Sequence, residues 1–367
     1  MIYPDHEMKI AFFNSAKTWG GGEKWHFEIS SALQGKGLEA IIFTNKRSEL
    51  YNRLSLAAQK IYRIKISNLS FLNPFKVLLL KKIFQKEKID CIILNLSADL
   101  KVAGFAAWLA GIKRIIYRRG SAIPVRNSFL NRFIFKNIVT DIIANSEETK
   151  RTILRNNQSL FPVHKIKVIY NGLDIKKYNK AQTIKTFPRK EEELVIGNLG
   201  RFVRQKGQHF LVMLAELLKK RNIPVRILIG GEGPLKDDIE ALARKADVID
   251  MIQFSGFVDD VNGFMSSIDV FVLTSLWEGF GYVIAEAMYF EKPVIAFNIS
   301  SNPELIKDGE NGFLFEPGDI ESIANKIEQL QENRNIIVKL GKAGKDSIVK
   351  NFTFNKTLKE LLAFLHQ

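Results

Sequence analysis

Cysteine occurs once in the 367 residues, at Cys91, so no disulfide can form within the chain. Its neighbours Ile92, Ile93 and Leu94 mark it as a structural thiol in a buried strand. Histidine is almost as scarce: the five at positions 6, 26, 164, 209 and 366 lack the close pairing or nearby thiols of a zinc site, and no protein-held metal is expected. Long apolar runs are missing too. The best candidate, Val77 to Leu80, sits among lysines and falls far short of the roughly 20 residues a membrane-crossing helix needs. Met1 to Glu7 is short and polar, and the first apolar run, Ile10 to Phe13, reads as a strand rather than a secretory signal, so the expected location is cytoplasmic. No tract of low complexity interrupts the chain. With 46% hydrophobic and 25% charged residues it reads as globular, not disordered.

Acidic residues are scarce in one half only. Residues 1–190 hold 34 Lys and Arg against 13 Asp and Glu, and residues 191–367 hold 20 against 26, so the halves carry +21 and −6. The first half is expected to meet something anionic: nucleic acid, a phospholipid surface or a phosphorylated substrate.

What is present is a repeated alternation of short apolar strands with helical patterns, which implies α/β architecture with parallel sheets. Strands are expected at Lys9–Asn14, Glu39–Thr44, Cys91–Leu94, Ile115–Tyr117, Ile142–Ala144 and Lys167–Tyr170, with a helix from about Glu23 to Gln34. A second series follows at Leu194–Asn198, Val225–Ile229, Met251–Phe254, Val270–Leu273 and Val294–Ala296. The polar segment Lys176 to Glu193 between the series reads as a linker. Two Rossmann-like domains facing across a cleft are expected, 1–180 and 181–350, with 351–367 as a C-terminal helix crossing back onto the first. Ligands of such sheets sit beyond the carboxyl ends of the strands.

Several strand ends carry candidate chemistry. Trp19-Gly20-Gly21-Gly22-Glu23 opens a helix after the first strand and is either a phosphate cradle or a plain tight turn. Gly200-Arg201 with Lys206-Gly207 follows the first strand of the second series. There a guanidinium fork and an ammonium suit a diphosphate and can neutralise a leaving pyrophosphate without a metal. Ile229-Gly230-Gly231-Glu232-Gly233-Pro234 lets backbone approach a ligand, although turn chemistry explains it almost as well. In Ser275-Leu276-Trp277-Glu278-Gly279-Phe280-Gly281-Tyr282-Val283-Ile284-Ala285-Glu286, Glu278 precedes a helix and Glu286 lies inside it among apolar neighbours. An unpaired carboxylate there is costly, and ligand hydroxyls would satisfy it, while the Gly279 to Gly281 amides face sugar oxygens or phosphate.

Together, Gly20 to Glu23, Asn145-Ser146-Glu147-Glu148-Thr149-Lys150, Val168-Ile169-Tyr170-Asn171-Gly172-Leu173-Asp174, Gly200-Arg201 with Lys206-Gly207, and Glu278 eight positions before Glu286 carry a specific likeness. The sequence resembles family 4 of the retaining GT-B glycosyltransferases across nearly its whole length. The resemblance implies a nucleoside-diphosphate sugar as donor and co-substrate, with no further cofactor. It implies Arg201 and Lys206 on the diphosphate, Glu286 on ribose hydroxyls and Glu278 facing the donor sugar. It further implies Gly21 and Gly22 near the phosphates, Phe257 and Val258 in the nucleobase region, and Gly231, Gly279, Phe280 and Gly281 lining the donor. The family retains the anomeric configuration by front-face attack, the departing phosphate helping to deprotonate the acceptor.

One departure stands out: many relatives place a histidine after the strand equivalent to Ile115–Tyr117, where this chain has Arg118-Arg119-Gly120. The two arginines are expected to stabilise the leaving group or recognise an anionic acceptor, or else form a basic cleft rim. His26 is a further acceptor-side candidate, with helix packing the plainer reading.

Basic and apolar residues interleave at Lys76, Lys81, Lys82, Lys86 and Lys88 around Val77 to Leu80, and at Arg126, Arg132 and Lys136 among Phe129, Phe133 and Phe135. Such segments suit an anionic leaflet, or are core-facing helices with a solvated basic side. The expected function is transfer of a sugar to a lipid-linked, lipopolysaccharide or cell-surface glycan by a peripheral protein at the inner membrane face. The alternatives are a nucleotide-sugar 2-epimerase and a nucleic-acid-binding module; no nucleic-acid motif accompanies the charge, so no nucleic-acid partner is expected.

Overall fold

Short runs of Ile, Val, Leu and Phe build two parallel sheets, whose central strands are buried on both faces and so read as nearly continuous apolar segments. The computed structural model describes residues 8–34, 36, 38–55, 59–180 and 192–367. The chain divides into two compact units, Met1–Tyr170 with Glu360–Gln367, and Asn171–Lys359.

In the first unit, β1 (Met8–Asn14), β2 (Leu38–Thr44), β3 (Lys60–Arg63), β4 (Cys91–Leu94), β5 (Arg114–Arg119), β6 (Asp141–Ala144) and β7 (Ile166–Val168) pair in the order β3-β2-β1-β4-β5-β6-β7. Its core gathers Phe13, Phe43, Leu80, Phe84 and Ile92 among others. In the second, β8 (Leu194–Leu199), β9 (Val225–Gly230), β10 (Ile252–Phe254), β11 (Val270–Leu273), β12 (Val294–Phe297) and β13 (Gly312–Phe315) pair in the order β10-β9-β8-β11-β12-β13. Helix His209–Lys220 shows how its core is sealed. Leu211, Val212, Leu214, Ala215 and Leu218 recur at helical spacing and are buried, while Lys219 and Lys220 complement the last turn. Each large apolar side chain so buried contributes about 1.5–3 kcal/mol.

Both orders reverse at the middle of the sheet, between β1 and β4 in the first unit and between β8 and β11 in the second. In sheets of this kind ligands bind beside such a reversal, beyond the carboxyl ends of the strands.

β3 and β13 were not among the expected strands. Both lie at sheet edges, and neither has a fully apolar, fully buried run. The expected linker Lys176 to Glu193 begins as helix Ile175–Lys180, and residues 181–191 of it lie outside those described, as does Met1 to Glu7. The expected final helix forms over Phe354–Leu365. Arg114 binds its end, Nη1 donating to the Leu365 carbonyl and Nη2 to that of Phe364, both at 2.6 Å, with the guanidinium 4.7 Å from the Phe364 ring centroid. This satisfies carbonyls that a helix end leaves unpaired.

Candidate active site

In the first unit the glycine-rich turn after β1 opens helix Gly21–Leu33, and Asn95 follows β4 on the other side of the reversal. The two segments touch: a Cβ on Gly22 would lie 2.7 Å from Asn95 Nδ2, so only glycine leaves room for this amide. Arg118 Nη1 donates to Asn95 Oδ1 at 3.0 Å, and its guanidinium lies 4.5 Å from the Trp25 ring centroid. With 1% of its surface exposed, Arg118 is among the largest fully buried side chains of the protein.

For Arg118 this corrects the alternative reading of a basic cleft rim. β5 runs on to Arg119, two residues beyond the expected end, so Arg118 is a strand residue pointing inward. Arg119 is half-buried, donating from Nη1 to Tyr117 Oη at 3.0 Å and from Nη2 to the Ile123 carbonyl. His26 is buried between Phe12 and Trp25, at centroid distances of 5.6 and 5.3 Å. Neither ring nitrogen has a hydrogen-bond partner among the described residues. Burial, reinforced by the Arg118 charge, holds its pKa well below the ordinary 6.5.

A second polar group sits under the same turn. Asn14 Nδ2 donates to Glu23 Oε1 at 3.0 Å, and Asp99 Oδ2 accepts from the amides of Ser15 and Leu96, both at 3.2 Å. Burial pushes the Asp99 pKa up to about 7, with the nearby Glu23 adding to the rise against its hydrogen bonds. The Asn145-Ser146 motif caps a helix: Ser146 Oγ accepts from the Thr149 amide at 3.0 Å.

In the second unit the loop after β8 and the loop after β11 are laced together. The Leu276 amide donates to the Gln205 carbonyl at 2.7 Å, and Gln205 Nε2 donates to the Trp277 carbonyl at 2.8 Å. Lys206 Nζ donates to Glu278 Oε1 at 2.6 Å in a mostly buried ion pair. The ammonium and the first glutamate, assigned to different parts of a donor by the resemblance, are thus direct partners. Arg201 is exposed beside them in sequence and does not join this pair.

Glu286, on helix Tyr282–Tyr289, is also buried, and its Oε1 accepts from Tyr178 Oη at 2.8 Å. Tyr178 lies on Ile175–Lys180, within the segment read as linker, and its ring packs against Tyr289 and Phe290. Nothing in the local polarity of that segment pointed to it. Phe280 is buried against Phe352 and Tyr282, at 5.7 and 5.6 Å, so its ring is a packing element. Gly279 is half-buried, and Gly281 is buried at the start of the helix.

At the end of β9, Gly231 has φ 137°, and a Cβ there would meet the Gly200 carbonyl oxygen at 2.0 Å. Its amide donates to the Gly256 carbonyl at 2.6 Å, which joins the turns after β8, β9 and β10. Beyond Gly256, Phe257 is 60% exposed and Val258 half-buried. Among the described residues no group of three or more His, Cys, Asp or Glu is placed to hold a metal ion.

Two parallel α/β units with loops gathered at a central reversal define the GT-B class of fold, and known proteins agree. The family model described as Glycosyltransferase Family 4 matches residues 19–177, and the one described as Glycosyl transferases group 1 matches residues 179–347. The chain belongs to these GT-B glycosyltransferases. The lipopolysaccharide core biosynthesis glycosyltransferase LpsE of Rhizobium meliloti is 26% identical over 94% of this chain and 95% of that protein. The UDP-Gal:alpha-D-GlcNAc-diphosphoundecaprenol alpha-1,3-galactosyltransferase of Escherichia coli is 27% identical over 80% of each. Two relatives at 32% and 31% identity are spanned over 45% and 60% of their own length. The crystal structure of HepE from Anabaena in complex with UDP and glucose shares the fold, with a TM-score of 0.83 at 22% identity, covering 98% of this chain and 100% of that one.

Proposed function

We propose that this protein transfers a sugar from a nucleoside-diphosphate sugar to a hydroxyl of a cell-envelope glycan or glycolipid, with retention of configuration and without a metal ion. The observation that carries the reading is the Lys206–Glu278 ion pair between the loops after β8 and β11, where a parallel sheet reverses. Lys206 and the exposed Arg201 supply positive charge for a departing diphosphate. Glu278, held by Lys206, faces the sugar, and Glu286, oriented by Tyr178, takes the ribose hydroxyls.

In this reading the bond from the anomeric carbon to the diphosphate oxygen breaks while the acceptor oxygen bonds on the same face. The acceptor proton passes to the departing phosphate. The buried carboxylates hold hydroxyls rather than move protons. An envelope acceptor is supported by LpsE, named for lipopolysaccharide core biosynthesis, and by the E. coli relative, named for a diphosphoundecaprenol-linked acceptor. A uridine donor is supported by the same E. coli name and by HepE, crystallised with UDP and glucose. The protein then works from the cytoplasmic side, at the membrane face.

The test is to offer UDP-, GDP- and ADP-sugars with extracted lipid-linked glycan acceptors and to follow the product by NMR. A product with the donor's anomeric configuration, formed equally in excess EDTA, is expected. An inverted product overturns retention, loss of activity in EDTA overturns metal independence, and conversion of the donor with no acceptor present favours the epimerase.

A further inference from the structure

We propose that the turn and helix from Leu69 to Lys86 dock this protein on an anionic lipid bilayer, the apolar side chains at its start entering the interface and the lysines further along resting on phosphates. Helix Pro74–Glu87 buries Val77, Leu80 and Phe84 against the core of the first unit, as an amphipathic helix should. Its other side is apolar over the first turns and basic further along. Phe75 is 81% exposed, Leu69 69% and Leu72 66%, with Leu78 and Leu79 about half exposed. Val77 and Leu80, which looked like part of an interfacial run in the sequence, belong to the core, and the exposed apolar surface is made by their neighbours. A cluster of this kind on an otherwise ordinary surface marks a contact site.

The charges on this face have one sign. At 100° per residue, Phe75 and Leu79 lie on the same stripe of the helix as Lys82 and Lys86, one and two turns further on, and both lysines are exposed. The helix's one acid, Glu87, is turned inward and neutralised, accepting from Lys60 Nζ and Tyr62 Oη, each at 2.5 Å. No carboxylate of the helix therefore opposes an anionic surface.

The apolar end is also held in place. Lys76 Nζ donates to the Lys65 carbonyl at 2.9 Å and to Ser70 Oγ at 3.0 Å, which ties down the turn bearing Leu69 and Leu72. Asn73 Oδ1 caps the helix on the Lys76 amide at 3.1 Å, with Pro74 at its first position. Side chains fixed in an exposed position lose little further freedom on binding. A second copy of the chain would bring the same lysines against themselves, whereas a phosphate-rich leaflet complements them.

The proposal gives a location to the lipid-linked acceptor of the proposed function and rests on that reading for its purpose, but not for its geometry. Flotation with vesicles of phosphatidylglycerol and phosphatidylethanolamine, against vesicles of phosphatidylcholine alone, tests it on the full chain. The intact protein is expected to float with the anionic vesicles only. The double variant Phe75→Ser/Leu79→Ser should bind at least about tenfold more weakly, and Lys82→Glu/Lys86→Glu should bind weakly even at low salt, where the parent binds most tightly and loses binding progressively as salt is added. All four side chains are exposed, so the melting temperature should hold. Met213→Ser, at an exposed apolar residue of the second unit, should float as the parent does.

Equal binding by the apolar double variant, or equal binding to both vesicle types, overturns the proposal. So does absence of vesicle binding together with a concentration-dependent dimer that the double variant abolishes. Sugar transfer from a UDP-, GDP- or ADP-sugar to a detergent-extracted acceptor glycan, measured without vesicles on the same samples, separates the two claims. Transfer without flotation rejects the docking surface alone, and flotation without transfer from any donor rejects the proposed function alone.

Discussion

Lys206 Nζ lies 2.6 Å from Glu278 Oε1, and both side chains are at least four-fifths buried. Removing one partner leaves the other with its desolvation uncompensated, so each single alanine variant should cost about 1–3 kcal/mol of stability. The double variant Lys206→Ala/Glu278→Ala should cost less than the sum of the singles, because the two losses are the same interaction. Thermal melts of the four proteins measure the coupling. Strict additivity would mean that the pair does not form in solution.

Tyr178 Oη donates a hydrogen bond to Glu286 Oε1. Tyr178→Phe removes that bond while keeping the ring against Tyr289 and Phe290, so stability should fall by about 1 kcal/mol. If Glu286 takes ribose hydroxyls, the variant should raise the donor KM several-fold and leave kcat nearly unchanged. A fall in kcat with KM constant would place Glu286 on the reacting sugar instead.

His26 and Asp99 give opposite pH dependences. His26 titrates near 6.5 when unfolded and well below that when folded, so below pH 6.5 the unfolded chain binds more protons and stability falls as pH falls. Asp99 rises from 3.8 to about 7 on folding, so between those values the folded chain binds more protons and stability falls as pH rises. The two slopes largely cancel in the parent between about pH 5 and 6.5, each limited to roughly 1.4 kcal/mol per pH unit. His26→Leu should melt progressively lower from pH 5 to 6.5, and Asp99→Asn progressively higher. Identical profiles for the two variants would refute both assignments.

Arg118, where the family resemblance led a histidine to be expected, is buried on Trp25 and Asn95. Arg118→Lys keeps the charge but loses the planar group that bonds Asn95 while stacking on the indole. It should destabilise the protein by about 2 kcal/mol or more, and His26 should titrate higher in Arg118→Met, where the repelling charge is gone. NMR of the imidazole follows this. An unchanged His26 titration would mean that the two side chains do not face each other.

Apolar periodicity carried most of the fold. β4 and β11, four consecutive apolar residues each, fall on the expected bounds because a strand covered on both faces has no polar position to blur its ends. β3, reading Lys-Ile-Tyr-Arg, escaped because an edge strand need not be apolar throughout. Glu278, Glu286, Lys206 and the glycine turns stood out in the sequence, since a left-handed turn or a carboxylate among apolar neighbours restricts residue type, but their roles came from the resemblance; the structure adds that Lys206 and Glu278 are partners. The partners of Arg118 and Tyr178 were not legible for one reason: each is a polar residue whose partner lies far along the chain, Asn95 for one and Glu286 for the other. Local sequence carries no trace of such pairings.

The central claim is that the segment from Glu278 to Glu286, with Lys206, binds a nucleoside-diphosphate sugar. Titration of UDP, GDP and ADP into the parent protein, Lys206→Ala and Glu286→Gln, read by thermal shift and calorimetry, tests it most directly. One nucleotide should stabilise the parent, by about 2.7 kcal/mol at a hundredfold excess over Kd, and each variant should bind it at least about tenfold more weakly while remaining folded. No stabilisation by any of the three, or binding by both variants equal to the parent's, would contradict the account.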